Sequence, residues 1–301
     1  MDMELRHLRA FVQLADDLHF ARAARNLGIS QPPLSQQIKL LEEELGLRLF
    51  DRTSRRVSLT PAGRIFLAAA QQTLDEAARA VALARRAARG EIGSLRIGFS
   101  ASAPFVPGVG RALRAFRDAF PEVDLAMSEM APPEQIKAIE AGALDIGFLR
   151  SSARPAAPAT LRASLLQRER LVAAMAADHP LASREAVRLA DLGGQAMLVY
   201  ASDRGGGFTD ELFGMMRAAG AEPAVRQVVR EVSTMLGLTA AGLGITVLVE
   251  SLCALSIADL VYRPLADTRA TASMWLVEPA RTASLPAANF LALLRRDGAA
   301  A

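Results

Sequence analysis

The stretch from Thr60-Pro61 to Arg89 constrains this chain more than any other. After the opening proline its only helix breaker is Gly63, so one uninterrupted helix is predicted, capped by Thr60 with Pro61 in the first turn, where a missing N–H loses no bond. At about 1.5 Å per residue such a helix is roughly 43 Å long, too long for an ordinary helix of a compact domain. The chain is therefore expected to divide around it, into residues 1–60, a connecting helix over 61–89, and a larger part over 90–301. Leu67, Ala70, Leu74, Ala77, Val81, Ala84 and Ala88 recur at alternating steps of three and four. A seam of mostly small residues suits close pairing with another helix, most simply that of a second copy; the alternative is packing on its own chain.

The parts differ in charge. The net charge of +3 hides 14 Lys/Arg against 10 Asp/Glu up to Arg89, and 21 against 22 beyond it. The excess concentrates in "RLFDRTSRRVSLT", where Arg48, Arg52, Arg55 and Arg56 face only Asp51. A local basic cluster is the footprint of a polyanion partner, the plainer alternative being a solvated loop.

Within this basic third, "ISQPPLSQQIKLLEEELG" (29–46) carries Leu34, Ile38, Leu41 and Leu45 on one helical face. Pro32 and Pro33 place the helix start at Gln31, with Ser30 or Gln31 as cap and Gly46 as the stop. Pro32, Gln36, Lys39 and Glu43 then face outward, flanked by Ser35 and Gln37. Amides, hydroxyls and an ammonium on an outer face read base edges and phosphates in a major groove; equally, they solvate a surface helix. Upstream, "HFARAARNLG" forms a short helix ending at Gly28, behind a first helix bearing Leu5, Leu8, Val12 and Leu14. Two helices joined by the turn Gly28-Ile29-Ser30 make a helix-turn-helix. Arg48 to Leu59 alternates as a two-stranded wing with Arg55 and Arg56 near its tip, placed for a minor groove or for phosphates.

After a hinge at Gly90–Gly93 the pattern changes. "LRIGFS", "VDLAMSEM", "LDIGFL", "ERLVAAMA", "AMLVYAS", "VRQVVRE", "GITVLVE" and "ASMWLVE" are short apolar strands alternating with helical segments such as Val109 to Phe120 and Asp210 to Ala219. This predicts α/β units with mainly parallel sheets, whose ligands bind at strand carboxyl ends. Two loops stand there: "FSASAPF" offers Ser100 and Ser102 beside a helix start, and "YASDRGGGF" offers Ser202 and three glycines before Phe208. Hydroxyls at helix N-termini bind anions such as carboxylates.

The glycine run lacks the lysine of GxxxxGK[ST] and does not fit GxGxxG, so a nucleotide is not expected. HExxH and GxSxG are absent, and His7, His19 and His179 have no ligand spacing, His179 reading as a turn residue before Pro180. No enzymatic chemistry, cofactor or metal is predicted. One cysteine, Cys253, excludes an internal disulfide, and its setting in "VESLCALSI" marks a packed thiol. The 301 residues are 51% hydrophobic and 22% charged, yet no stretch runs eighteen apolar residues unbroken, and the start carries acidic residues. Neither a leader nor a membrane span is expected, and the location is read as cytoplasmic.

From Phe20 to Gly63, "FARAARNLGISQPPLSQQIKLLEEELGLRLFDRTSRRVSLTPAG" resembles the winged helix-turn-helix of the LysR-type transcriptional regulators, and the likeness extends over essentially the full chain. The resemblance implies a multidomain α/β protein. It has an N-terminal winged helix-turn-helix, a long linker helix, and a C-terminal two-subdomain effector domain similar to periplasmic binding proteins, with one subdomain near 93–162 plus 268–301 and the other near 163–267. It further implies a dimer of dimers that binds an interrupted palindrome in double-stranded DNA, answers a small organic acid and acts on RNA polymerase. Ser30, Gln31, Pro32, Pro33, Ser35, Gln36 and Lys39 match the DNA-reading segment, and Arg52, Arg55 and Arg56 the wing. "EMAPPEQIKAIEAGALDIGFLR" and "LVYASDRGGGF" are similar to the subgroup governing aromatic and chloroaromatic breakdown, whose inducers are muconates or aromatic acids. That similarity sets Ser102, Arg150, Ser202 and Phe208 around an interdomain cleft. Arg150 would pair with a carboxylate or bridge the subdomains, Phe208 would cover a ring or belong to the core, and the serines would bind or merely cap helices. Muconate responders offer a hydroxyl near Pro132, where this chain reads Ala131-Pro132-Pro133; this favours a smaller or less polar acid. The competing expectation is an architectural DNA-binding protein with a vestigial pocket.

Overall fold

The prolines that look wrong inside a helix stand at its start. In the computed structural model, which describes residues 3–52, 56–201, 207–281 and 284–296, helix α3 spans Gln31–Leu45 and stops at Gly46, whose φ of 67° is the left-handed conformation glycine accepts without strain. The chain forms two units, Met1–Arg86 and Ala87–Ala301.

The first unit packs α1 (Leu5–Asp17), α2 (Phe20–Asn26) and α3 around Leu8, Phe11, Leu14, Leu34, Ile38 and Leu41, all at or near zero exposure. Phe11 is the centre, its ring 5.3 Å from Phe50 and 5.1 Å from Phe66. Strands β1 (Phe50–Arg52) and β2 (Val57–Leu59) pair antiparallel as the wing, and α4 (Pro61–Ala87) follows. Thr60 Oγ1 accepts from the Gly63 N–H at 2.9 Å, the predicted cap. Gly63 itself is fixed by packing: a Cβ there would stand 2.1 Å from the Leu49 carbonyl oxygen. Along the seam, Ala70 is buried and Leu67 and Leu74 pack on this core, whereas Val81 is 51% exposed and Ala84 lies in solvent.

The second unit contains β3 (Ile92–Phe99), α5 (Pro107–Ala119), β4 (Glu122–Glu129), α6 (Pro132–Glu140), β5 (Ile146–Ser151), β6 (Leu161–Ala176), β7 (Ala196–Tyr200), α7 (Phe208–Ala218), β8 (Ala224–Val229), α8 (Val232–Ala240), β9 (Thr246–Val249), β10 (Leu260–Pro264), β11 (Thr271–Pro279) and α9 (Leu285–Arg296). The main sheet runs β10-β6-β11-β5-β3-β4 with β9 also on β6, and β7 and β8 form a separate pair. Mainly parallel sheets were the expectation; the sheets are mixed. β3–β4, β3–β5 and β7–β8 are parallel, while β11 pairs antiparallel with β5 and β6, and β6 with β9 and β10. Parallel neighbours need a crossover long enough for a helix, and no α-helix separates β5 from β6 or β9 from β11.

Two cores result. Leu95, Ile97, Phe116, Phe148, Leu276 and Phe290 anchor one, and Leu171, Met175, Met197, Leu236, Ile245 and Leu248 the other. β6 serves both, Leu166 packing in the first and Leu171–Met175 in the second. β11 likewise passes from Ala272 in the second to Met274 and Leu276 in the first. The changeover along β6 thus falls between Leu166 and Leu171, inside a continuous strand.

Candidate functional site

On α3 the buried stripe of Leu34, Ile38 and Leu41 turns Gln31, Pro32, Pro33, Gln36 and Lys39 to solvent, with Ser35 half-buried. Ser30 is the cap residue in extended backbone (φ −81°, ψ 161°), and its hydroxyl makes no cap bond, since prolines occupy the positions whose N–H groups it would accept. Lys39 meets Glu43 at 3.3 Å, an exposed pair that holds neither side chain firmly. Arg56 is exposed, and Arg55 lies outside the described residues. Arg52 does not stand free: Nη2 meets Glu42 Oε2 at 2.8 Å and the guanidinium lies 5.1 Å from the centre of the Phe20 ring. Glu42 was not singled out by the sequence pattern, which reads it as one of three equivalent acids. Its Oε1 also accepts from the N–H groups of Leu49 at 2.9 Å and Phe50 at 3.1 Å.

In the second unit a cavity of about 370 Å³ opens at the carboxyl ends of β3, β4, β5 and β7, lined by Ser100, Ser102, Met130, Arg150, Phe208 and Met235 among others. Ser100, Ser102, Arg150 and Phe208 thus share one site, and Ser202 lies outside the described residues. The Ser100 hydroxyl accepts from the Arg150 N–H at 3.1 Å, and Ser102 Oγ accepts from Arg150 Nε at 3.1 Å. Arg150 is 6% exposed, and its Nη1 is ion-paired with Glu169 Oε2 of β6. Burial lowers the Arg150 pKa from its ordinary value, and the Glu169 carboxylate opposes that shift. Glu169 Oε1 accepts from the Ser251 N–H at 2.9 Å, while Arg150 Nη2 has no hydrogen-bond partner among the described residues. Phe208 begins α7 and is half-buried against the second core, which makes it part of both wall and core.

The α6 wall is poor in donors. Ala131 is the cap residue, Pro132 and Pro133 have no N–H, and the Glu134 N–H is taken by the Ala131 carbonyl at 3.0 Å. Lys137, one turn on, lines the cavity from its exposed rim and ion-pairs with no other described residue. Gln135 holds this helix start in place, fully buried, its Nε2 donating to the Met130 carbonyl at 2.9 Å. Two contacts span the cleft: the Tyr200 hydroxyl donates to Glu129 Oε1 at 3.2 Å, and Glu211 accepts from Ser151 Oγ and the Ser152 N–H, each at 2.7 Å. Sequence reasoning missed Lys137, Tyr200 and Glu211; Lys137 alone left a signal, standing on the face of α6 that begins at the two prolines.

His179 caps a turn, accepting from the Leu181 N–H at 3.2 Å, and among the described residues no three His, Cys, Asp or Glu side chains gather to hold a metal. No helix among them is long and apolar enough to cross a membrane.

Comparison with known proteins accounts for both units. Residues 5–64 match the bacterial regulatory helix-turn-helix protein, lysR family, and residues 88–299 match the LysR substrate binding domain. The chain is 43% identical over 289 residues to the uncharacterised HTH-type transcriptional regulator YnfL of Escherichia coli (strain K12), covering 96% of each chain. It is 37% identical over 278 residues to the HTH-type transcriptional regulator BenM of Acinetobacter baylyi, covering 91% of this chain and 89% of BenM. Among solved structures, full-length CbnR complexed with its target DNA has a TM-score of 0.82 at 29% identity, over 98% of this chain and 99% of CbnR. The BenM effector binding domain with its effector benzoate has a TM-score of 0.62 at 30% identity, over 69% of this chain and 92% of that one. The chain belongs to the LysR family of DNA-binding transcriptional regulators, which carry an effector-binding domain and are not enzymes.

Proposed function

We propose that the protein senses a small organic acid in the cavity of its second unit and, through that, controls transcription of a catabolic operon. The observation that carries this is the cavity itself: about 370 Å³ at strand carboxyl ends, predominantly apolar side chains, and few polar groups among which Ser100, Ser102 and Lys137 suit a carboxylate. BenM, a relative, has benzoate as its effector, which supports an aromatic acid. The α6 wall, where Pro132 and Pro133 remove two N–H donors, favours one carboxylate over two.

The acid acts by binding one arrangement of the two cores better than another, since only differential affinity moves such an equilibrium. Residues 1–60 are assigned to reading DNA, 61–89 to pairing with a second copy, and 90–301 to the effector. Ser30, Gln31, Pro32, Pro33, Ser35, Gln36 and Lys39 face the major groove, and Arg55 and Arg56 the backbone or minor groove. The exposed end of the α4 seam, Val81 and Ala84, supports pairing of two copies, and a dimer of dimers on an interrupted palindrome belongs to the same proposal. Contact with RNA polymerase and a cytoplasmic location belong to the same reading.

Titrating benzoate and cis,cis-muconate into the full chain, while following thermal unfolding and the DNA footprint, tests it. A saturating acid at 100 times its Kd stabilises by about 2.7 kcal/mol, a shift of several degrees. Benzoate raising the midpoint and altering the footprint is the expected result; a panel of such acids that moves neither overturns the proposal.

A further inference from the structure

The arginine nearest the recognition helix in the wing is tied down rather than free. Three groups converge on one carboxylate: Glu42 of α3 accepts from the Leu49 N–H at 2.9 Å, the Phe50 N–H at 3.1 Å and Arg52 Nη2 at 2.8 Å, and Arg52 in turn lies 5.1 Å from the Phe20 ring centre. Three donors of the wing strand thus end on a single side chain of the helix that faces DNA. The Glu42 side chain is only 15% exposed, so these bonds are shielded from competing water more than a surface pair is. Glu43 and Glu44, adjacent in sequence, are exposed and make no such contact among the described residues, Glu43 pairing with Lys39.

We infer that Glu42 and Arg52 are positioning residues for DNA reading: they lock the wing to the recognition helix, so that the two reach adjacent grooves in a fixed register, and Arg52 makes no phosphate contact of its own. The inference rests on α3 being the DNA-reading helix. A carboxylate so close to a polyanion is otherwise a liability, because its charge repels phosphates. Its presence is explained when its field is cancelled by Arg52 and its oxygens are filled by the wing backbone. Phe20 completes the lock from α2, as the guanidinium packs against its ring while bonding Glu42 edge-on.

Positioning and contact differ in what they do to the salt dependence. An arginine on a phosphate contributes about 0.9 to the slope of log affinity against log salt, on any sequence. A positioning residue contributes nothing to that slope and acts only where two grooves must be read together. The test uses the full chain and two duplexes: one that the unmodified protein selects from a random library, and one of random sequence. Arg52→Gln should weaken the selected duplex by about tenfold more than the random one, comparable to one mismatched base pair, the repulsion from the uncovered Glu42 charge falling on both duplexes alike. Glu42→Gln should weaken the selected duplex similarly and, having lost a negative charge, bind the random duplex no more weakly. The double variant should be no worse than the weaker single one, because both act through one contact.

If Arg52→Gln weakens both duplexes equally and lowers the slope by about one, Arg52 is a phosphate contact and the inference is overturned. If the single losses add in the double variant, the two residues act separately and it is likewise overturned. Unfolding curves accompany each variant; should Glu42→Gln fail to fold, Arg52→Gln, which leaves the two backbone bonds to Glu42 intact, decides alone. An unmodified chain that selects no sequence would refute the reading helix itself, an outcome separate from any variant's behaviour, and the inference falls with it.

Discussion

Along α3 and its cap, the side chains of Ser30, Gln31 and Gln36 stand in solvent with no hydrogen bond to any other described residue, whereas around the cavity Ser102, Glu129, Arg150 and Tyr200 are already bonded or ion-paired to one another or to close neighbours. The two surfaces therefore meet a ligand differently. On the helix, as proposed above, a base or phosphate would replace water and the protein would keep its shape. In the cavity, an acid that took Ser102 or approached Arg150, as proposed above, would compete with bonds that hold β3, β5 and β6 together, so its binding would rearrange the protein as well as occupy it. A pre-paired site is how a small molecule acquires leverage over structure; an unpaired one is how a rigid element reads.

Breaking the buried pair should show the largest effect. Glu169→Leu leaves the Arg150 guanidinium without its carboxylate at 6% exposure and should cost about 3–5 kcal/mol in denaturant unfolding of the second unit. Adding Arg150→Met should recover most of that loss; a single variant within experimental error of the parent would refute pre-pairing. Gly63→Ala comes next. It drives a methyl against the Leu49 carbonyl and should cost about 2 kcal/mol in unfolding of the first unit, leaving the second unit's transition in place.

Gln36→Ala tests the unpaired side of the comparison. It should lower discrimination between a selected and a random duplex by about tenfold while leaving stability unaltered; unchanged discrimination removes Gln36 from the reading face. Lys137→Ala should weaken acid binding by about threefold, an effect that vanishes at high salt because the ammonium is exposed. Calorimetric titration at two ionic strengths checks it.

The smallest effect concerns acid. Asp191 accepts from Arg188 and lies beside Arg184, which together hold its carboxyl well below the ordinary 3.8. A depressed value means that its stabilising contribution is complete above the unfolded value and is lost as pH falls through the folded one. Asp191→Asn should accordingly lower second-unit stability near neutrality by a small amount, and the difference from the parent should fade as pH drops below about 4. In the first unit Asp17, bonded to Gln13, Asn26 and Arg22, is shifted in the same direction, so Asp17→Asn should confine the same pattern to that unit.

What was legible in the sequence follows the same divide. The start of α3, its stop at Gly46, the wing and the α4 cap all depend on neighbours within a few residues, and proline, glycine and the three-four spacing announce them. Phe11, the centre of the first core, is absent from the predicted apolar set of the first helix, because the spacing chosen there ran through Leu5 and Val12; Leu5 is 40% exposed. In the second unit the strand segments could be seen but not their direction. β6 is legible only from Glu169 onward because its first half, "LRASLLQR", carries no continuous apolar run and breaks its alternation at Leu165-Leu166, and β10 is hidden because "LVYRP" is short and ends in proline. The Glu169 partner of Arg150 comes from a strand that adds no local sign of the pairing. A site on one helix is written in consecutive residues, while a site at the ends of several strands is written in the topology.

The first core of the second unit joins Leu95 and Ile97 of β3 to Met274, Leu276, Phe290 and Leu294 from the end of the chain. Asn289 Nδ2 reaches back to the Arg89 carbonyl, a separation of 200 residues. During synthesis the first unit has all its core residues once Leu74 has emerged, while the sensor must wait for nearly the whole remaining chain. A message cut short anywhere in between should therefore encode the first unit with its core complete and the second without its own. Such nonsense alleles are expected to be dominant over the intact gene through competition for its DNA, and co-expressing residues 1–89 with the full chain in a reporter strain would reveal it; unaltered reporter output would show that the reader needs the second unit to bind.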